Sequence, residues 1–121
     1  MRAQIVDSRG NKTGWGEQKV KSGKVVIIDI TADWCLTCKY NKITLFDRVD
    51  VLKLLKSANV YPMRGDMTLP NDLISEYLRK NKAAGIPFNI IYGPKNPNGV
   101  ILSTIPSKAE LLDAIAASGS L

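Results

Sequence analysis

Two residues of this chain stand at a spacing with a direct chemical meaning: Cys35 and Cys38, separated by Leu36 and Thr37. On a helix they would lie one turn apart, near enough to close a small disulfide and for one sulfur to expel a partner bound to the other. The attacking species in such exchange is a thiolate, and a free cysteine of pKa about 8.5 is only about 3% ionised at pH 7. Lowering that pKa by about 1.5 units takes roughly 2 kcal/mol, which helix-end amides and a neighbouring thiol reach together. The expectation is that Cys35 opens a helix and attacks, while Cys38 resolves. Spacing alone leaves two other readings open. One is half of a zinc site, although about four ligands are needed where the chain has two cysteines and no histidine. The other is a purely structural disulfide, whose short loop removes little chain entropy.

A site of this kind needs a strand to deliver Cys35 and a helix to receive it. Residues 24–30 (KVVIIDI) are β-branched and almost continuously apolar, as in a strand covered on both faces. Residues 36–46 place Leu36, Tyr40, Ile43 and Phe46 at helical spacing. Further on, the pattern predicts a short helix over 50–57, a strand over 59–64 that Pro62 weakens, and an amphipathic helix over 71–81. Two strands over 87–92 and 100–104, joined by the turn formers of residues 93–99, read as an antiparallel hairpin. A last helix opens with a capping box of Ser107 and Glu110, its apolar face made by Leu111, Leu112, Ile115 and Ala116. The order mixes a parallel crossover with an antiparallel hairpin in one α/β sheet.

Three more positions are candidates. Asp29 is a carboxylate inside the apolar strand, six residues before Cys35. It either reaches water at the strand end or is buried, and a buried carboxyl has a raised pKa and can exchange a proton with Cys38. Trp34 is a core or rim aromatic that would also partly cover the disulfide and offer a contact surface. Pro87, after Ile86, reads as a plain strand-start proline, only about 5% of such bonds being cis.

Composition narrows the classes. The 121 residues, 45% hydrophobic and 23% charged, are enough for one globular domain. No run approaches the roughly 18 apolar residues of a membrane span. The chain has no histidine, which removes a Ser-His-Asp triad, a Cys-His pair and any His-ligated metal. Of the net charge of +6, +4 falls in residues 1–24, where six cations meet Asp7 and Glu17. With neither clustered arginine nor stacking aromatics there, a nucleic-acid partner is not expected. Residues 1–23 read as a basic, flexible N-terminal extension without the apolar stretch of a secretory signal, and residues 24–121 as the folded domain.

The string TADWCLTCK at residues 31–39, preceded by Asp29 and followed by Gly85-Ile86-Pro87, resembles the thioredoxin superfamily. With the later Gly65-Asp66-Met67-Thr68, it is most similar to the C-terminal periplasmic domain of DsbD-type thiol:disulfide interchange proteins of bacteria. The resemblance covers about residues 24–117. It implies a thioredoxin-like α/β fold, with a central mixed sheet of about four to five strands flanked by helices. It also implies a periplasmic, soluble domain of an inner-membrane protein, which takes electrons from a membrane-embedded dithiol and passes them to periplasmic partners. Carried over by position, Cys35 is the exposed nucleophile, Cys38 the resolving thiol, Asp29 the buried carboxylate and Pro87 a cis proline facing the disulfide. Trp34 and Ile86 join Pro87 in contacting the partner, the Ile86 backbone pairing with an extended segment.

One position departs from the family pattern. An acidic residue usual four places after the second cysteine is here Lys42, a cation that would favour a Cys35 thiolate if it faces the site. No metal and no cofactor beyond the cysteine pair are expected, and the isolated domain is expected to be a monomer. Competing expectations are a cytoplasmic thioredoxin and a thioredoxin-fold module holding copper(I) on Cys35 and Cys38.

Overall fold

The computed structural model of the chain describes residues 5–7 and 16–119. The apolar run after Lys24 forms β2 (Val25–Thr31), and its residues alternate between two cores. Val26, Ile28 and Ile30 face one core with Ile74, Tyr77 and Leu78 of α4 (Asp72–Lys80). Val25 and Ile27 face the other, with Leu45, with Val51 of α3 (Val49–Leu55), and with Leu111 and Ile115 of α5 (Lys108–Ser118). Asp29 takes the next place in this second row, directly after Ile27 on its face.

β2 is paired on both sides, parallel to β3 (Val60–Asp66) and antiparallel to β4 (Phe88–Gly93). With β1 (Ile5–Asp7) and β5 (Asn96–Ile101) at the edges, the order is β1-β3-β2-β4-β5. The fold is thus the thioredoxin-like α/β arrangement expected from the sequence, a five-stranded mixed sheet with helices on both faces. The remaining described helices are α1 (Glu17–Lys21) and α2 (Leu36–Asn41), the latter continuing as a π-helical turn over Lys42–Phe46.

Of residues 1–23, expected as a flexible extension, 5–7 and 16–23 are described. Ile5–Asp7 pairs antiparallel with β3, Ile5 is fully buried, and Val20 of α1 packs on the same core. Gly65 makes room for this strand: a Cβ there would come within 2.7 Å of Ile30 Cδ1 and 3.1 Å of Ile5 Cγ1. Residues 1–4 and 8–15 lie outside the described residues.

The helix after Cys35 turns the opposite face inward from the one its apolar residues suggest. Leu36, Tyr40 and Ile43 are 80%, 54% and 72% exposed, while Cys38, Asn41 and Leu45 are buried. The chain leaves β2 so that the cysteines meet the sheet, and residues at three- and four-residue intervals from Cys38 follow them in.

The 59–64 strand runs on to Asp66 and contains Pro62, which pairs with Ile27 of β2. Among the described residues the β1 pairing reaches only Met63, so no described bond on that side calls for the N–H that Pro62 lacks. The hairpin turns earlier than expected, after Gly93, and β5 carries a bulge between its Asn96 and Val100 pairings. Gly99, at φ 92°, supplies the left-handed residue within it.

Side-chain caps open α4 and α5. Asn71 Oδ1 accepts from Ile74 N at 3.0 Å, and Ser107 Oγ from Glu110 N at 3.1 Å. Glu110 completes no box with Ser107; its carboxylate instead receives the N–H and the hydroxyl of Ser103, both at 2.6 Å.

Candidate active site

Cys35 is the N-cap of α2, its backbone extended (φ −91°, ψ 105°) where β2 gives way to the helix. Cys38 follows one turn later, and the two are joined as a disulfide with Cα atoms 5.2 Å apart. Cys35 Sγ accepts the Cys38 N–H at 3.2 Å, a contact available to stabilise a sulfur anion once the disulfide opens. The exposure of the whole residues is nearly equal for the two cysteines. Cys35 is 6% and Cys38 7% exposed, in a cluster with Ala32 on which Met67 and Ile86 pack.

The loop carrying Trp34 is stitched to the segment after β3. Met67 N–H donates to Thr31 O at 2.7 Å, Asp33 N–H to Thr68 Oγ1 at 2.8 Å, and Trp34 Nε1–H to Met67 O at 3.2 Å. Asp66 holds this segment in turn, accepting Thr68 N–H at 2.7 Å. Trp34 is 63% exposed, a rim residue beside the disulfide. The Ile86–Pro87 bond is cis, and Ile86 touches the cysteine cluster. Both residues also line a cavity of about 410 Å³ bounded by residues 81–88 and by Ile101, Leu102 and Thr104.

Behind the disulfide lies a second cavity, of about 310 Å³, lined by Asp29, Cys38, Lys39, Lys42, Asp47 and Arg64 among others. Asp29 and Cys38 thus open onto one space, large enough for water to bridge them. Burial raises the Asp29 carboxyl from the ordinary 3.8 to about 6, against the opposing pull of the Arg64 guanidinium on the neighbouring strand. Lys42 is present at this cavity, but its ammonium is held by Asp47 at 2.8 Å on the surface. The unopposed cation expected to favour the Cys35 thiolate is therefore offset by a carboxylate five residues away.

Asn41 and Asn89, each 2% exposed, are the polar residues of this layer that the sequence reading passed over. Asn89 interrupts the apolar PFNIIY segment much as Asp29 interrupts KVVIIDI, so the same signal was present. Among the described residues no group of three or more His, Cys, Asp or Glu side chains is placed to hold a metal ion.

A disulfide capping a helix at the end of a central strand, with the residue that precedes a cis proline packed on it, defines a thiol:disulfide oxidoreductase of the thioredoxin class. A family model described as thioredoxin-like matches residues 17–94, and the chain belongs to that family. In sequence it is 38% identical over 72 residues to the thiol:disulfide interchange protein DsbD of Pseudomonas fluorescens, 60% of this chain. It is 33% identical over 73 residues to DsbD 2 of Pseudomonas aeruginosa. The matched part is 12% of the length of each of these relatives. In structure, the oxidised C-terminal domain of Neisseria meningitidis DsbD matches with a TM-score of 0.66 at 16% identity, over 84% of this chain and 88% of that one. A thioredoxin mutant from Halobacterium salinarum matches at 0.60 and 18% identity, over 87% and 83%.

Proposed function

We propose that this domain relays reducing equivalents from a membrane-embedded dithiol to periplasmic partner proteins, as a soluble, monomeric part of a bacterial inner-membrane protein. The observation that carries the chemistry is the Cys35–Cys38 disulfide at the β2–α2 junction, with Asp29 facing the cavity behind Cys38. The similarity to DsbD supports the direction and the compartment.

In loading, a donor thiolate attacks Cys35 Sγ, the Cys35–Cys38 bond breaks, and Cys38 leaves as a thiolate that takes the proton of neutral Asp29. The donor's second thiolate then attacks the donor sulfur of the mixed disulfide and releases Cys35 as a thiolate. In delivery, the Cys35 thiolate attacks a partner disulfide, whose S–S bond breaks to leave a mixed disulfide on Cys35 and to release the partner's other sulfur as a thiolate. The Asp29 carboxylate removes the Cys38 proton, and Cys38 attacks Cys35 Sγ, expelling the partner thiolate and re-forming the internal disulfide. Ile86 packs on the cysteine cluster, and in this reading Trp34, Ile86 and Pro87 meet the partner, whose extended segment pairs with the Ile86 backbone.

The test is twofold. The reduced domain should reduce insulin disulfides, and Cys35→Ser should abolish this. Cys38→Ser, exported to a bacterial periplasm, should accumulate mixed disulfides with a membrane protein. Turnover of insulin with no membrane-protein adduct would leave a general reductase and reject the relay.

A further inference from the structure

Two buried asparagines leave oxygen atoms idle in the layer between the sheet and α2. Among the described residues the Oδ1 atoms of Asn41 and Asn89 accept no hydrogen bond. Asn41 is tied at its other end, its Nδ2 donating to Thr104 O at 2.8 Å. Asn89 has a different neighbour: on β4 it stands in register opposite Asp29 of β2. The two share a face, since the next residues along it, Ile91 and Ile27, lie in one core. Opposed residues on one face of an antiparallel pair hold their Cβ atoms about 4.5–5.5 Å apart, within reach of a hydrogen bond between a carboxyl and an amide. Leaving a buried amide oxygen without a donor is costly. An ionised carboxylate offers it nothing, whereas a neutral carboxyl carries the one O–H that would satisfy it.

We infer that Asn89 is a positioning residue for the proton on Asp29, its Oδ1 accepting the O–H of the neutral carboxyl. The inference rests on the acid–base role proposed above for Asp29. The other groups facing this carboxyl are Arg64 from β3, Lys39 and Lys42 from the α2 segment, and Asp33 and Asp47 at the cavity rim. Arg64 favours the ionised form and Lys42 is held by Asp47. α3 contributes Leu52 and Leu55, which bring no charge. Asn89 supplies what this set lacks, a contact that exists only while Asp29 is protonated. When Asp29 gives its proton to the Cys38 thiolate, the carboxyl O–H and the Asn89 hydrogen bond are lost together and a Cys38 S–H is formed. Asn89 thereby increases the share of Asp29 loaded with a proton at neutral pH.

The experiment is a ¹³C NMR titration of the Asp29 side-chain carbon in the folded disulfide form. Asn89→Leu keeps the number and branching of the side-chain heavy atoms and dries the site, which alone would push the midpoint up, whereas loss of the acceptor pulls it down. The expected result is a midpoint lower by about one pH unit; an unchanged or higher midpoint overturns the inference. Asn89→Thr, which retains a hydroxyl acceptor, should recover at least half of the difference, and a threonine variant matching leucine overturns it too. Should the leucine variant not fold, the wild type decides: the Asn89 side-chain carbonyl carbon should titrate with the Asp29 midpoint, and a flat signal refutes the contact. Failure of the Asp29 role itself reads differently. Asp29→Asn would then leave the pH profile of insulin reduction unchanged, while the Asn89 titration result stands on its own.

Discussion

Replacing Asp29 with asparagine should stabilise the protein, by an amount that depends on pH. In the unfolded chain the carboxyl titrates near 3.8, and in the fold burial raises it to about 6. Below about pH 4 both states hold the proton and the group has little effect. As the pH rises from 4 to 6 the unfolded chain releases its proton while the folded protein keeps it, so stability falls. Above 6 the fold carries a buried carboxylate and the full penalty persists. A displacement from 3.8 to about 6, at about 1.4 kcal/mol per pH unit, corresponds to about 3 kcal/mol. The gain from Asp29→Asn should therefore be about half a kcal/mol at pH 4 and about 3 kcal/mol at pH 8, over any pH-independent offset from the amide. Urea unfolding of the two oxidised proteins at pH 4, 6 and 8 measures the difference, provided the m-values agree. A difference that is flat with pH, or larger at pH 4 than at pH 8, would refute the argument that Asp29 is a desolvated acid.

Further outcomes follow from the packing and the surface. Leu45→Ala should cost about 2–5 kcal/mol in urea unfolding, and Ile43→Ala less than about 0.5 kcal/mol, since Leu45 is 2% and Ile43 72% exposed. The reverse order would mean that the helix after Cys35 shows its other face to the sheet. Ser107→Ala removes the oxygen that accepts Glu110 N–H and should lower stability by about 1 kcal/mol, read from the same curves. Because Lys42 is already held by Asp47, Lys42→Glu should change the iodoacetamide alkylation rate of the reduced domain by less than about twofold at neutral pH. A much larger slowing would restore Lys42 as the group that favours the thiolate.

Legibility in the sequence followed the strength of the local physics. The CxxC spacing, the β-branched run of β2, the amphipathic pattern of α4 and the Ser107 cap of α5 are local signals, and each element stands where those signals put it. Resemblance, not periodicity, marked Gly65 to Thr68, and the structure gives those residues work in holding the Trp34 loop. The face of α2 was misread because apolar spacing reports which residues lie together, not which way the helix is rolled; the attachment of Cys38 to the sheet decides that. The three residues of β1 are too few to show a period, and their place depends on the gap over Gly65, far off in the chain. Asn89 was missed although its polarity within an apolar strand is plain, because its meaning comes from a neighbour sixty residues earlier, across the β2–β4 pairing.

The edge strand β5 has a consequence for behaviour at high concentration. An unpaired strand margin is a template on which other chains can add and grow into fibrils. Here that margin carries Pro97, which lacks one donor, and a bulge with Gly99 that twists the strand out of plane. Stacking of domains side by side through this margin is thereby discouraged, which keeps the fold dispersed where many copies are crowded together.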